Sequence, residues 1–221
     1  MKKHLFVIAH PDDELLGAGA YIDKISKTEK VYVVVLNSSD TTRYKDQGKL
    51  KEQLKETHKM LNVDKTYVAS LEDGNFSNEN HRQIVEIIES CIKDIEPDYI
   101  YTHHYNDMNY DHFITYQCCI EASRYSFRGI YNCNELKGLY LMEVPSETGW
   151  GFVNTFKPTK YVNVEENNID NEIKALKVYD NVIRKSPHPR SEENIKALAR
   201  IRGSQCNSIY AMAFEVYYEK E

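Results

Sequence analysis

The chain has 221 residues, 41% of them hydrophobic and 28% charged, with a net charge of −6. That length and balance fit one α/β domain with a sizeable core. The acidic balance offers no basic footprint for nucleic acid and no pull toward anionic membranes.

The elements follow in chain order. Leu5–Ala9 is a continuous apolar run with β-branched residues, predicting a strand buried on both faces. It is too short for a signal-peptide core, and no stretch approaches the length of a membrane helix. A cytoplasmic protein without membrane insertion is therefore expected. Leu15–Ser26 reads as a helix and Val31–Leu36 as a second buried strand. Asn37–Gly48 is polar loop, and Leu50–Leu61 is a charged amphipathic helix. Thr66–Ala69 is a short third strand, followed by turn residues Glu72-Asp73-Gly74-Asn75. His81–Ile95 carries isoleucines at helical spacing. Tyr99–Thr102 is a fourth strand and Asp111–Ser123 a helix. In the second half, Leu139–Val144, Lys160–Val164 and Tyr210–Tyr218 read as strands, and Glu172–Lys185 and Glu192–Ser204 as helices.

Alternating strands and helices imply a Rossmann-like, mostly parallel sheet with helices on both faces. Further strands and helices come from the C-terminal half, and residues 1–221 form a single domain. The five cysteines show no disulfide spacing. The adjacent pair Cys118-Cys119 reads as buried apolar residues. Seventeen tyrosines fit a sticky pocket or an oligomer interface equally well.

Ligands of open parallel sheets bind at the carboxyl ends of strands. Two clusters fall there: His10-Pro11-Asp12-Asp13-Glu14 after strand one, and His103 through His112 after strand four. Together they supply imidazoles and carboxylates suited to a catalytic zinc, which keeps three protein ligands and one exchangeable position. Three consecutive acids, Asp12-Asp13-Glu14, would repel one another without a cation. One carboxylate can bind the ion while its neighbour takes a proton from water. The plainer reading of Asp12 and Asp13 is a helix cap, and the plainer reading of Asp111 is the same. His4, His58 and His81 are expected at the surface. Asp40 and Arg43 sit at the mouth of strand two, where Arg43 can clamp an anion or be an ordinary loop residue. Glu14 can meet a substrate or its own helix start, Arg190 can cover the site or form a structural salt bridge, and Trp150 can stack on a ligand or anchor the core.

The segment Ala9-His10-Pro11-Asp12-Asp13-Glu14 resembles the signature of the PIG-L/LmbE-like deacetylases, zinc enzymes that remove N-acetyl groups from amino sugars. Thr102-His103, Asp107, Asn109, Asp111 and His112 are similar to that family's second motif. Glu143-Val144-Pro145-Ser146 with Trp150, His188-Pro189-Arg190-Ser191, Arg202-Gly203 and Ala211-x-Ala213-Phe214-Glu215 resemble later segments. The resemblance implies that His10, Asp13 and His112 bind Zn2+ or another divalent metal, and that Asp12 is the general base. It places Asp111 beside His112 as an orienting group. Many relatives carry a histidine where this chain has Asn109, so Asn109 or His103 is left to stabilise the oxyanion. Met212 stands where many relatives have glutamate. Glu14, Asp40, Arg43, Asp107 and Arg190 are the substrate-binding candidates.

The expected substrate is an amino sugar or glycoconjugate, cleaved to acetate and a free amine, by an enzyme of a kind in which homo-oligomers are common. An amidase for another N-acyl or thiol-conjugate substrate would use the same site. A phospho-receiver domain also places acids after strand one, and Asp73 could pose as its acceptor. That reading lacks its lysine and leaves both histidine clusters without a role.

Overall fold

A computed structural model of the chain describes residues 1–39, 47–127, 135–150 and 156–220. Seven strands form one sheet in the order β3-β2-β1-β4-β5-β7-β6. The strands are β1 (Lys3–Ile8), β2 (Lys30–Ser39), β3 (Lys65–Glu72), β4 (Tyr99–His103), β5 (Gly138–Met142), β6 (Lys160–Asn163) and β7 (Ala211–Glu219). β1 to β5 run parallel, and β7 is antiparallel to both β5 and β6.

The helices are α1 (Asp13–Ile25), α2 (Gln47–Met60), α3 (His81–Ile95), α4 (Tyr110–Ser123), α5 (Glu166–Leu176) and α6 (Glu192–Gln205). One core joins α1, α2, α5 and α6 to one face of the sheet, through residues such as Leu15, Leu54, Ile173 and Ile195. The other joins α3 and α4 to the opposite face, through Ile84, Ile88, Ile114 and Cys118. The central strand β1 is buried from His4 to Ile8, as its unbroken apolar run requires. Among the described residues no helix is long and apolar enough to cross a membrane.

Three expectations change. The helix predicted at Glu172–Lys185 instead spans Glu166–Leu176. It opens on a capping box in which Glu165 and Asn168 exchange side-chain-to-backbone bonds, so the polar run is helix start rather than loop. β3 is longer than its apolar stretch because it lies at the sheet edge, where only one neighbour must be satisfied and its outer residues face solvent. His4 and His58 are buried, not exposed. His4 Nε2 pairs with Glu29, and His58 Nε2 lies 2.9 Å from Glu14 Oε1. Cys118 and Cys119 are fully buried, and the described cysteines are free.

Strand order reverses at β1, with β2 on one side and β4 on the other. The carboxyl ends of these two strands flank the switch-point crevice, where doubly wound sheets bind ligands. Both histidine clusters sit there.

Candidate metal centre and active-site cleft

β1 ends at Ile8, and the chain turns through residues 9–12 into α1. Ala9 N–H donates to His103 Nε2 at 2.9 Å, tying this turn to the end of β4. Asp12 is the N-cap of α1, with φ 102° and ψ −23°, in left-handed space. A non-glycine residue there costs on the order of 1–3 kcal/mol and persists only where the surroundings impose it. Its carbonyl accepts from Leu15 N–H and Leu16 N–H at 3.1 and 2.9 Å. Its carboxylate makes no capping bond and instead lines a cleft. The plainer reading, a capping side chain, therefore fails for Asp12.

The neighbouring Asp13 also lines the cleft, and its Oδ2 accepts from His10 N–H at 2.8 Å. It also lies 3.3 Å from His10 Nδ1 and 3.2 Å from His112 Nε2. The two imidazole nitrogens are themselves 3.2 Å apart. Three donor atoms thus form a nearly equilateral triangle. Ligands of a tetrahedral zinc at 2.0–2.1 Å would be separated by about 3.3–3.4 Å, so the triangle matches one face of that polyhedron. All three residues are buried. One divalent cation would serve all three donor atoms at once. The residues present fit the metal that the resemblance implies.

The charges agree. Burial disfavours the Asp13 carboxylate, but the imidazoles of His112 and His10 outweigh it and hold the carboxyl well below its ordinary value. Burial also works against a charged His112, yet Asp13 and Asp107 push it up to about 9. His10 is raised for the same kind of reason, against burial, by Asp111, Asp13 and Asp73. Two histidines thus keep positive charge beside an ionised carboxylate where a cation would otherwise sit.

Each imidazole is oriented from behind. His112 Nδ1 lies 3.1 Å from Asp107 Oδ2, an ion-pair contact with poor hydrogen-bond geometry. Asp107 is fixed by Thr148 Oγ1 at 2.9 Å and by Asn109 N–H at 2.9 Å. His10 Nε2 lies 3.1 Å from Asp111 Oδ2 and 3.2 Å from Asp73 Oδ1. Asp111 accepts from Gly74 N–H at 2.7 Å and Phe76 N–H at 3.2 Å. The loop after β3 is therefore tied through Asp111 to His10, which follows β1.

The cleft has a volume of about 310 Å³ and is lined in part by His10, Asp12, Asp13, Asp73, Asn109 and His112. Ser146, Glu147, Arg184, His188 and Arg190 line the rest. Its size is at the lower end for small-molecule sites.

Several expected positions move. Asp107 has a side chain closed to solvent, so it braces His112 and does not meet substrate. Asp111 braces His10 instead of its neighbour His112. Glu14 is fully buried against His58 of α2, which removes it from the substrate side. His103 is also fully buried and is absent from the cleft lining. Its ring stacks on His112 at 3.9 Å, and burial followed by the His112 charge depresses it to about 3. This neutral imidazole behind His112 has no access to the cleft, against its expected place facing the substrate. Asn109 and Arg190 do reach the cleft. Asp40 and Arg43, and the side chain of Trp150, lie outside the described residues. Asp73, named only as an acceptor in the receiver reading, and His188, named only within a family segment, also line the cleft. Their signals were a turn at the mouth of β3 and the Pro-His-Pro-Arg segment.

Comparison with known proteins places this geometry. No curated protein sequence matches the chain. A conserved protein of Thermus thermophilus, TT1542, is 17% identical, with a TM-score of 0.82 over 100% of this chain and 97% of that one. GalB of Pseudomonas putida, a 4-carboxy-2-hydroxymuconate hydratase, is 16% identical, with a TM-score of 0.79 over 100% and 98%. N,N'-diacetylchitobiose deacetylase of Pyrococcus horikoshii is 20% identical, with a TM-score of 0.73 over 97% and 83%. At such identities the likeness is one of fold, and the hydratase and the deacetylase show that this fold carries different reactions. The PIG-L family model, described as GlcNAc-PI de-N-acetylase, matches residues 5–123, more than half of the chain and the part that bears every residue of the triangle. The chain belongs to the PIG-L family.

Proposed function

We propose that the protein is a zinc-dependent N-deacetylase that cleaves the acetamide of an amino-sugar-containing substrate to acetate and a free amine. The observation that carries this reading is the triangle of His10, Asp13 and His112 beside a strained Asp12 in one cleft, in a chain of the PIG-L family. Those three residues would hold the ion. A divalent ion there supplies positive charge that makes water more acidic and an acyl carbonyl more electrophilic.

The chain's own residues supply the rest. Asp12 lines the cleft next to Asp13, with a carboxylate not spent on the helix. It is the general base for the attacking water and returns the proton to the leaving amine. Asn109 accepts from Asp111 N–H at 3.0 Å through Oδ1, which leaves Nδ2 as a donor toward the acyl oxygen. Asp107 and Asp111 hold the two imidazoles in register. Arg190, braced by Ser146 and Glu147, also lines the cleft.

The test is acetate release from a panel of N-acetylglucosamine conjugates by the purified, zinc-loaded protein. Acetate release that is lost in a His10→Ala/His112→Ala variant supports the reading. Full activity in that variant contradicts it.

A further inference from the structure

We propose that His188 is a catalytic hydrogen-bond donor to the acyl oxygen of the substrate, acting beside Asn109. This rests on the deacetylase reading and adds to it a residue from the C-terminal third of the chain.

Acyl transfer needs donors aimed at the oxygen that gains charge as water adds to the acyl carbon. His103 is too deep to serve. His188 lines the cleft. Its Nδ1 accepts from Arg190 N–H at 3.1 Å. A backbone N–H can only donate, so Nδ1 carries no proton and the ring hydrogen sits on Nε2. The tautomer is thereby fixed as a donor. Burial, then the neighbouring Arg190 and Arg184, lower its basicity, so the ring is neutral at neutral pH.

The backbone of His188 is equally constrained. His188 N–H donates to Lys185 O at 3.1 Å, and its carbonyl accepts from Ser191 N–H at 2.9 Å and Asn194 Nδ2 at 3.0 Å. Ser191 is the N-cap of α6. A donor on so rigid a turn needs no reorganisation during reaction.

His188 and Asn109 belong to adjoining parts of the wall. Arg190 Nη2 donates to Glu147 Oε1 at 2.6 Å, and Met108 N–H donates to Glu147 O at 3.4 Å. Glu147 thus joins the turn of His188 to the loop of Asn109. The two residues share one design: the acceptor atom is spent on a backbone N–H two residues on, and the donor atom is left over. His188 transfers no proton in this role. It shares its Nε2 hydrogen with the charged oxygen.

The test uses zinc-loaded wild type, His188→Ala and His188→Gln. Two readouts are kinetics on N-acetylated sugars and affinity for a glucosamine methylphosphonamidate, whose tetrahedral phosphorus mimics the hydrated amide. In His188→Ala, kcat is expected to fall about 100-fold with KM little changed. Phosphonamidate affinity should fall with it, while zinc content and glucosamine affinity hold. His188→Gln, which keeps an N–H donor, should recover part of both losses. Wild-type kcat in His188→Ala overturns the proposal, as does an equal loss of glucosamine and phosphonamidate affinity, which marks a merely structural wall. If wild type releases no acetate from any sugar, the deacetylase reading fails. The donor role is then decided by the His188 Nε2–H resonance in nitrogen-15 spectra: a phosphonamidate-dependent shift supports it and an unmoved resonance overturns it.

Discussion

Asp111 braces His10 across the mouth of the sheet, 3.1 Å from its Nε2, and not the adjacent His112. The same carboxylate holds Gly74 N–H and Phe76 N–H. One side chain on α4 thus fixes a candidate metal ligand after β1 and the loop after β3. Asp111→Asn should weaken zinc affinity by about 10–100-fold with the fold retained. Chelator competition measures this. Asp107→Asn should give a loss of the same order through His112. Unchanged affinity in both would show that the imidazoles need no such support.

Asp12 carries the strained backbone, and the expected outcome separates its side chain from its conformation. Asp12→Asn should retain zinc and lose about 10²–10⁴-fold in turnover. Asp12→Gly should be as inactive, yet more stable than Asp12→Ala by on the order of 1 kcal/mol, because glycine tolerates φ 102°. Denaturant melts of the two variants check the second outcome. Equal stability would mean that the turn carries no strain.

Metal binding should release protons. Without a metal, Asp13 and Asp107 push His112 up to about 9, and Asp111, Asp13 and Asp73 raise His10 as well. Both are protonated at pH 7, and both must be neutral to bind an ion. Zinc affinity should therefore rise with pH until His112 has lost its proton near 9. Calorimetry at pH 7 in buffers of different ionisation enthalpy should report proton release, and none would contradict the ligand assignment. Zinc at about 100 times its dissociation constant should add about 2.7 kcal/mol to stability, and chelation should remove it.

Glu172 gives a different pH dependence, away from the cleft. It is 2% exposed, packs against α1 and accepts from Ala20 N–H at 3.0 Å. Burial, only partly offset by that bond, raises it from 4.5 to about 8. Between those values the folded chain keeps a proton that the unfolded chain has lost, so the stability it contributes is full below about 4.5 and declines as pH rises toward 8. Glu172→Gln, whose amide oxygen can keep the bond, should remove this decline and exceed wild type by a few kcal/mol at pH 8. Chemical denaturation at pH 5 and 8 tests it; parallel stabilities at the two pH values would contradict it.

The two clusters were legible because each follows an unbroken apolar run, and strand ends of a parallel sheet converge; the choice of His10, Asp13 and His112 within them came from the family resemblance. The partnerships behind these residues were not legible. Asp111 meets His10 across 101 positions, and Glu14 meets His58 across 44. Such pairings depend on how loops and helices pack, which no local pattern encodes. That is why His58 read as a surface residue and Glu14 as a substrate contact. His188 was visible only as part of a familiar segment. Its tautomer follows from one bond to Arg190 N–H, which exists only in the folded turn. The misplaced start of α5 has a local cause, since Asn167 and Asn168 resemble loop until Asn168 is seen to close a capping box.

X-ray absorption of the zinc-loaded protein tests the central claim most directly. Two imidazole nitrogens and one carboxylate oxygen are expected at about 2.0–2.2 Å, with the signal and stoichiometric zinc lost together in His10→Ala/His112→Ala. Zinc retained in that variant with an unaltered ligand shell would place the ion elsewhere and contradict the account.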